Sequence, residues 1–202
     1  MVSSKTLFVT CGATVPFPQL VESLITLEFI NCLILNGFNN LIVQFGKGYN
    51  DQFTKLLKNL GNVSFDQKLN SLDLNDIQCF ANFKDNNSNK TLNIYGFDFL
   101  SDIQSVIKQN ADLVISHAGT GSILDSLRLN KPLIVCVNTN LMDNHQQQIA
   151  DKFASMNYVF STKPTVDSLM NSLNASQSHT LDEFPSAHNT PFENFLIDVS
   201  LR

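Results

Sequence analysis

The chain has 202 residues, room for one domain and a short appendage. Its 43% hydrophobic content, with 16 Phe, is enough to bury a core and excludes a disordered chain. Only 15% of residues are charged and the net charge is −5, so no basic excess marks a nucleic-acid or anionic-membrane surface; 24 asparagines stand in for charge as the polar groups.

Short apolar runs alternate with helical spacings along the chain. The runs are Leu7–Thr10, Leu41–Phe45, Leu92–Tyr95, Leu113–Ile115, Leu133–Val137 and Tyr158–Phe160. Most are apolar throughout, as parallel strands covered on both faces are. Leu20, Leu24 and Leu27 predict a long helix stopping near Gly37. Further helices are predicted around Leu100, Ile103, Val106 and Ile107; around Ile123, Leu124 and Leu127; and around Ile149, Phe153 and Met156. The last, with Val166, Leu169, Met170 and Leu173, has Thr165 as its N-cap. About six alternations of strand and helix predict a single Rossmann-like, doubly wound α/β domain with a mainly parallel sheet. It spans 1–176, with a polar, Asn-rich surface insertion at about 62–90. A tail over 177–202 carries Phe192, Phe195, Leu196 and Val199, the spacing of an amphipathic helix that packs on its own domain or docks on a partner.

Cys11, Cys32, Cys79 and Cys136 are far apart and form no Cys-x-x-Cys pair, so they read as reduced core residues without metal or redox function. The N-terminus has no signal-peptide h-region and no stretch approaches the length of a membrane span, which predicts a cytosolic chain. The sequons at Asn62, Asn86, Asn89 and Asn174 then read as products of composition.

Ligands of open α/β sheets bind beyond the carboxyl ends of the strands. Gly12, after the first strand, permits a tight turn and close ligand approach, but Gly-x-Gly-x-x-Gly is missing, as is the Lys-Ser/Thr ending of a P-loop after Gly46-Lys47-Gly48. The fourth strand ends in Ser116-His117-Ala118-Gly119-Thr120-Gly121-Ser122 and leads straight into a helix. Such a start offers free N–H groups and a dipole to a phosphate, with the Thr120 and Ser122 hydroxyls as further donors. Asp125, one turn in, has the chemistry to accept both hydroxyls of a ribose. A plain turn with Ser122 as N-cap accounts for the same spacing equally well. After the fifth strand, Asn144, His145, Gln146, Gln147 and Gln148 are consecutive polar residues at a helix start, suited to reading sugar hydroxyls or to solvation alone. No Asp-x-Asp or other carboxylate pair predicts a metal, and without Gly-x-Ser-x-Gly a Ser-His-Asp hydrolase is disfavoured.

At these residues the chain resembles a known family. The segment from Asp112 to about Phe153, Phe8–Phe17, Ile94–Phe97 and the tail are similar to the small catalytic subunit of the eukaryotic enzyme that adds the second N-acetylglucosamine to dolichol-diphosphate-linked N-acetylglucosamine. That subunit is a GT-B glycosyltransferase of family 28. The resemblance implies a donor-binding C-terminal GT-B half, and length agrees, since two such domains need about 350 residues. It implies UDP-N-acetylglucosamine as donor, no metal or other cofactor, and a membrane-anchored, acceptor-binding partner that recruits the chain to the cytosolic face of the endoplasmic reticulum. Gly119, Thr120, Gly121 and Ser122 would hold the UDP diphosphate, and Asp125, where distant members usually have Glu, the ribose. His145, Gln146 and Gln147 would contact the sugar or its phosphate, and Gly12 and Thr14 would line the cleft facing the partner.

The expected reaction is inverting transfer to the acceptor 4-hydroxyl, giving a β-1,4 bond, with the chain inactive alone. The general base is unassigned: His117 is a candidate, a core histidine is the plainer reading of it, and the partner is the other source of a base. Two rivals stand: a UDP-sugar epimerase or hydrolase, and a non-catalytic, nucleotide-sugar-binding regulatory subunit.

Overall fold

The computed structural model describes residues 4–12, 15–66, 72, 74, 77–86, 88–138 and 145–185. Eight strands form one sheet: β1 (Lys5–Thr10), β2 (Phe38–Gln44), β3 (Val63–Ser64), β4 (Cys79–Lys84), β5 (Thr91–Phe97), β6 (Leu113–Ser116), β7 (Leu133–Cys136) and β8 (Phe160–Thr162), in spatial order β3-β4-β5-β2-β1-β6-β7-β8. From β5 to β8 every pairing is parallel. Among the described residues seven helices surround it: α1 (Pro18–Leu24), α2 (Leu27–Leu35), α3 (Asn50–Asn59), α4 (Ile103–Asn110), α5 (Thr120–Arg128), α6 (His145–Ser155) and α7 (Val166–Ser178).

Side chains of a strand alternate between the faces of its sheet, so each parallel strand feeds two cores. Leu7, Val9, Leu41 and Val43 pack on one face under Leu20 and Leu24 of α1, Phe29 and Leu33 of α2, Phe53 of α3 and Leu169 of α7. Phe8, Ile42, Val114 and Val135 pack on the other under Ile107 of α4, Ile123 and Leu127 of α5 and Ala150 of α6. This is the doubly wound, Rossmann-like arrangement that the alternation predicts.

The structure departs from the sequence reading in four places. The long first helix is two, bent by 60°. Thr26 is extended and accepts a hydrogen bond from Phe29 N–H, so it caps a new helix instead of continuing the old one. Helix α3 is unanticipated; Phe53 and Leu57, four residues apart, are buried and Leu56 packs partly buried beside them, in a segment otherwise polar. The stretch expected as a surface insertion contains two strands. β4 pairs antiparallel with β5, and Cys79, Ala81 and Phe83 face one core while Phe80 faces the other. The tertiary partner β5 makes a strand of a segment whose Asn content argues for a loop. Helix α7 ends at Ser178, just past the expected tail boundary at 177, and residues beyond it pack on the domain. The expected docking helix around Phe192, Phe195 and Leu196 lies outside the described residues. No single helix among the described residues is long and apolar enough to cross a membrane.

Candidate functional site

The chain runs from β1 outward to β2 and β5, then crosses back through α4 to place β6 on the other side of β1. The connections after β1 and β6 therefore diverge to opposite faces, and a crevice opens at their carboxyl ends, the usual ligand position in such sheets. Thr10 and Ser116, the last residues of the two strands, are register partners. The residues just beyond these two strand ends form the site.

His117 sits in this crevice, half-buried. Its backbone N–H donates to Thr10 O at 3.0 Å, and its Nδ1 lies 3.2 Å from the same oxygen. A carbonyl only accepts, so Nδ1 carries the proton and Nε2 is left as a lone pair without a partner among the described residues. Burial holds the imidazole below its ordinary value of 6.5, against a smaller opposing effect of the Thr10 carbonyl. The ring is therefore neutral near pH 7. Two glycines make room for it: a Cβ on Gly12 would lie 2.9 Å from Nε2, and one on Gly119 2.6 Å. Gly12 also has φ +84°, which an L side chain rarely adopts. Thr10 Oγ1 donates to Gln44 Oε1 at 2.8 Å and accepts from Gly12 N–H at 3.2 Å, so β2 supports the turn after β1.

The turn from β6 into α5 is strained. Ala118 is fully buried with φ +69°, a left-handed conformation costing roughly 1–2 kcal/mol for an L residue. The strain keeps the connection to three residues and starts α5 directly above the crevice. Gly119 is the N-cap; no side chain caps the helix and its first turn has no acidic residue. No side chain at the N-cap accepts from the first-turn N–H groups, a helix start whose dipole favours an anion. Ser122 lies inside the first turn, so the alternative in which it caps the helix does not hold. A Cβ on Gly121 would meet nothing within 4 Å, and Gly121 is not left-handed, so the chain's own packing does not require glycine there.

A cavity of about 190 Å³ opens beside His117, lined by Cys11, Gly12, Val15, Pro16, Phe17, His117, Asn138 and Gln146. Gln146 Oε1 is buried without a partner among the described residues, as is Ser116 Oγ. The Cys11 and Cys136 thiols are pushed up by burial, Cys136 to about 12, so neither is a thiolate nucleophile near neutral pH.

Of the expected site residues, Gly12, His117 and Gln146 meet at this cavity, and Gly119 touches the His117 ring. Thr120 and Gly121 are exposed at the start of α5, with Ser122 and Asp125 half-buried behind them. Asp125 Oδ1 accepts from Gln104 Nε2 of α4 at 2.9 Å. Gln147 is not at the cavity; its Nε2 donates to Asp151 Oδ1 at 2.7 Å. His145 opens α6, but its side chain, Thr14 and Asn144 lie outside the described residues. Sequence reading missed Gln104, Gln44 and the apolar wall of Val15, Pro16 and Phe17. Nothing in the spacing marks Gln104 or Gln44, whereas the wall adjoins Gly12 in the sequence.

Comparison with known proteins agrees with this fold. Residues 6–199 match the glycosyltransferase family 28 C-terminal domain. The chain is 50% identical over 200 residues to the UDP-N-acetylglucosamine transferase subunit ALG13 of Saccharomyces cerevisiae, covering 98% of each. It superposes on the NMR solution structure of ALG13 with a TM-score of 0.70 at 49% identity, covering 98% of this chain and 97% of the other. On the crystal structure of Acinetobacter baumannii MurG the TM-score is 0.58 at 15% identity, covering 88% of this chain and 42% of that one, a likeness of fold. With a family model spanning nearly its whole length and a half-identical relative, the chain belongs to the family of glycosyltransferase family 28 C-terminal domains.

Proposed function

We propose that the chain is the donor-binding, catalytic half of a two-chain GT-B enzyme that transfers N-acetylglucosamine from UDP-N-acetylglucosamine to dolichol-diphosphate-N-acetylglucosamine. The observation that carries the reading is the crevice between β1 and β6. It joins a glycine-containing helix start with no capping side chain to a neutral histidine whose Nε2 has no partner among the described residues. The first is built for a diphosphate and the second for a proton. The names of its relatives support the donor class and the status of subunit. The match to 42% of the MurG chain supports one half of a larger fold. The second chain would be membrane-anchored, bind the lipid-linked acceptor and hold this chain at the cytosolic face of the endoplasmic reticulum, for early N-glycan precursor synthesis.

In this reading the N–H and hydroxyl groups of Gly119, Thr120, Gly121 and Ser122 hold the diphosphate. The Asp125 carboxylate accepts the ribose hydroxyls. Gln146 reads the sugar, aided by Asn144, His145 and Gln147, and Gly12 and Thr14 face the partner. The acceptor 4-hydroxyl attacks C1 opposite the diphosphate, so the O4–C1 bond forms as the C1–O bond to UDP breaks. Configuration inverts and the electron pair leaves with UDP. Negative charge grows at the start of α5, where the dipole and donors already point. The O4 proton passes to a base, and His117 Nε2 is the group of this chain with the right ionisation and exposure to the cavity.

The test is transfer from UDP-N-acetylglucosamine to a dolichol-like diphosphate-N-acetylglucosamine acceptor, with the chain alone and with membranes supplying the partner. Activity is expected only in the mixture. Turnover by the chain alone would overturn the two-chain reading. Inactivity in both, with UDP binding intact, would replace it by the regulatory-subunit reading.

A further inference from the structure

Residues 179–184, which follow α7, stay on the domain. They cross the amino-terminal side of β7 and β8, over a cavity of about 300 Å³ lined in part by Lys131, Pro132, Tyr158, Phe160, Leu181 and Phe184. They are tied to the turn that ends α6. Asn157 in that turn has φ +57°. Its Oδ1 is 2.8 Å from His179 Nε2, its Nδ2 donates to Thr180 O at 3.5 Å, and its carbonyl accepts from Asp182 N–H at 2.8 Å. Phe184 then packs on α6 and the segment after it, with ring centroids 5.9 Å from Phe153 of α6 and 5.4 Å, edge-on, from Tyr158 just beyond it.

Helix α6 needs such a tie. Its first four residues are polar, and of its apolar side chains only Ala150 is fully buried, Ile149 and Phe153 being half-buried. Gln146 and Phe153 are seven residues apart, hence on one side of the helix and about 10 Å apart along it. A rotation of α6 at Phe153 therefore swings Gln146 at the donor cavity.

We propose that residues 179–184 form a strap that positions the donor site by fixing the rotation of α6, with Asn157 and Phe184 as positioning residues. The proposal rests on the reading of Gln146 as a donor contact. It assigns the first part of the tail to the donor site, separately from any docking role of the residues beyond it.

Two full-length variants test it, each in the reconstituted complex. Asn157→Gly keeps the left-handed backbone, which glycine adopts freely, and removes both side-chain bonds. Phe184→Ala removes the ring. Expected in both are faster amide exchange across residues 149–155 and a severalfold higher KM for UDP-N-acetylglucosamine, with kcat unchanged. Unchanged exchange overturns the strap. Faster exchange with an unmoved KM overturns its link to the donor site, and so does a fall in kcat at constant KM, which a smaller folded fraction would give. A wild-type complex that transfers nothing from UDP-N-acetylglucosamine defeats the donor reading instead, and exchange in α6 then still decides for or against the strap.

Discussion

The two halves of the sheet treat polar side chains in opposite ways. In the half that runs outward from β1 through β2 and β5 to β4, an internal row of polar groups is closed on itself. Asn82 donates to Asn93 at 2.8 Å, Asn93 to Asn40 at 3.2 Å, and Asn40 to Thr6 at 3.2 Å and to Ser4 at 2.8 Å. These residues follow the strand register, Asn82 facing Asn93, Asn93 facing Asn40 and Asn40 facing Thr6. In the half formed by β6, β7, β8 and α6, Ser116 Oγ, Thr162 Oγ1 and Gln146 Oε1 are buried without partners among the described residues. One further such atom, Asn50 Oδ1, starts α3 beyond β2. A satisfied polar row fixes register, because a slip breaks every bond in it. Of the three residues in the second half, Gln146 lines the cavity beside His117, where an unsatisfied polar atom is available to a ligand. One half of the sheet pairs its polar groups strand to strand, and the other leaves three buried polar atoms without partners among the described residues.

That contrast can be broken at either end. The largest effect is expected from His117→Ala, which should lower kcat of the complex by about 10²–10⁴-fold with the donor KM little changed, as for loss of a general base. An unchanged kcat would return His117 to a packing role. Next is Asp125→Ala. Losing hydrogen bonds to a charged acceptor is worth about 1.5–3 kcal/mol, roughly a 10- to 150-fold rise in donor KM, measured by initial rates. On the opposite half, Asn93→Ala strands Asn40 and Asn82. It should cost about 1–3 kcal/mol in urea unfolding while leaving UDP affinity alone. Altered UDP binding in that variant would mean the two halves are not separable.

Smaller effects sharpen the comparison. Gly121→Ala meets no steric obstacle and gains up to about 1 kcal/mol of helix propensity, so Tm should hold or rise while the donor KM increases. A lower Tm would show that Gly121 serves the fold after all. The smallest effect concerns pH. His117 is held below 6.5 in the folded chain, so the unfolded state binds the extra proton first as pH falls. The stability from its neutral burial is complete above 6.5 and declines as pH drops from 6.5 through the depressed folded value. His117→Asn should flatten that part of the Tm-against-pH curve.

The parallel half of the fold was legible because its strands are buried on both faces and therefore apolar throughout. Runs such as Leu7–Thr10 and Leu133–Val137 leave no other reading, and Thr165 marks the start of α7 through its own side chain. β4 was hidden because its asparagine is satisfied only by a neighbouring strand, a fact of pairing and not of composition. Within the site, Gly12, His117 and Gly119 were visible as strand-end residues of a βα unit. Their mutual contact, the proton on Nδ1 and the burial that keeps the ring neutral were not, because each depends on groups about a hundred residues apart.

The sequence by itself thus determined the class of fold, the strand ends where a ligand would bind, and the residue types suited to a nucleotide sugar. These arise from local periodicity and from the side chains' own chemistry. Only the tertiary structure decided which strand ends meet, that Gln147 turns to Asp151 while Gln146 faces the cavity, that Asp125 is held by Gln104, and that the start of the tail belongs to the domain. Those facts come from the crossing of the chain at β1 and β6 and from the rotation of helices on the sheet, which no stretch of sequence encodes locally.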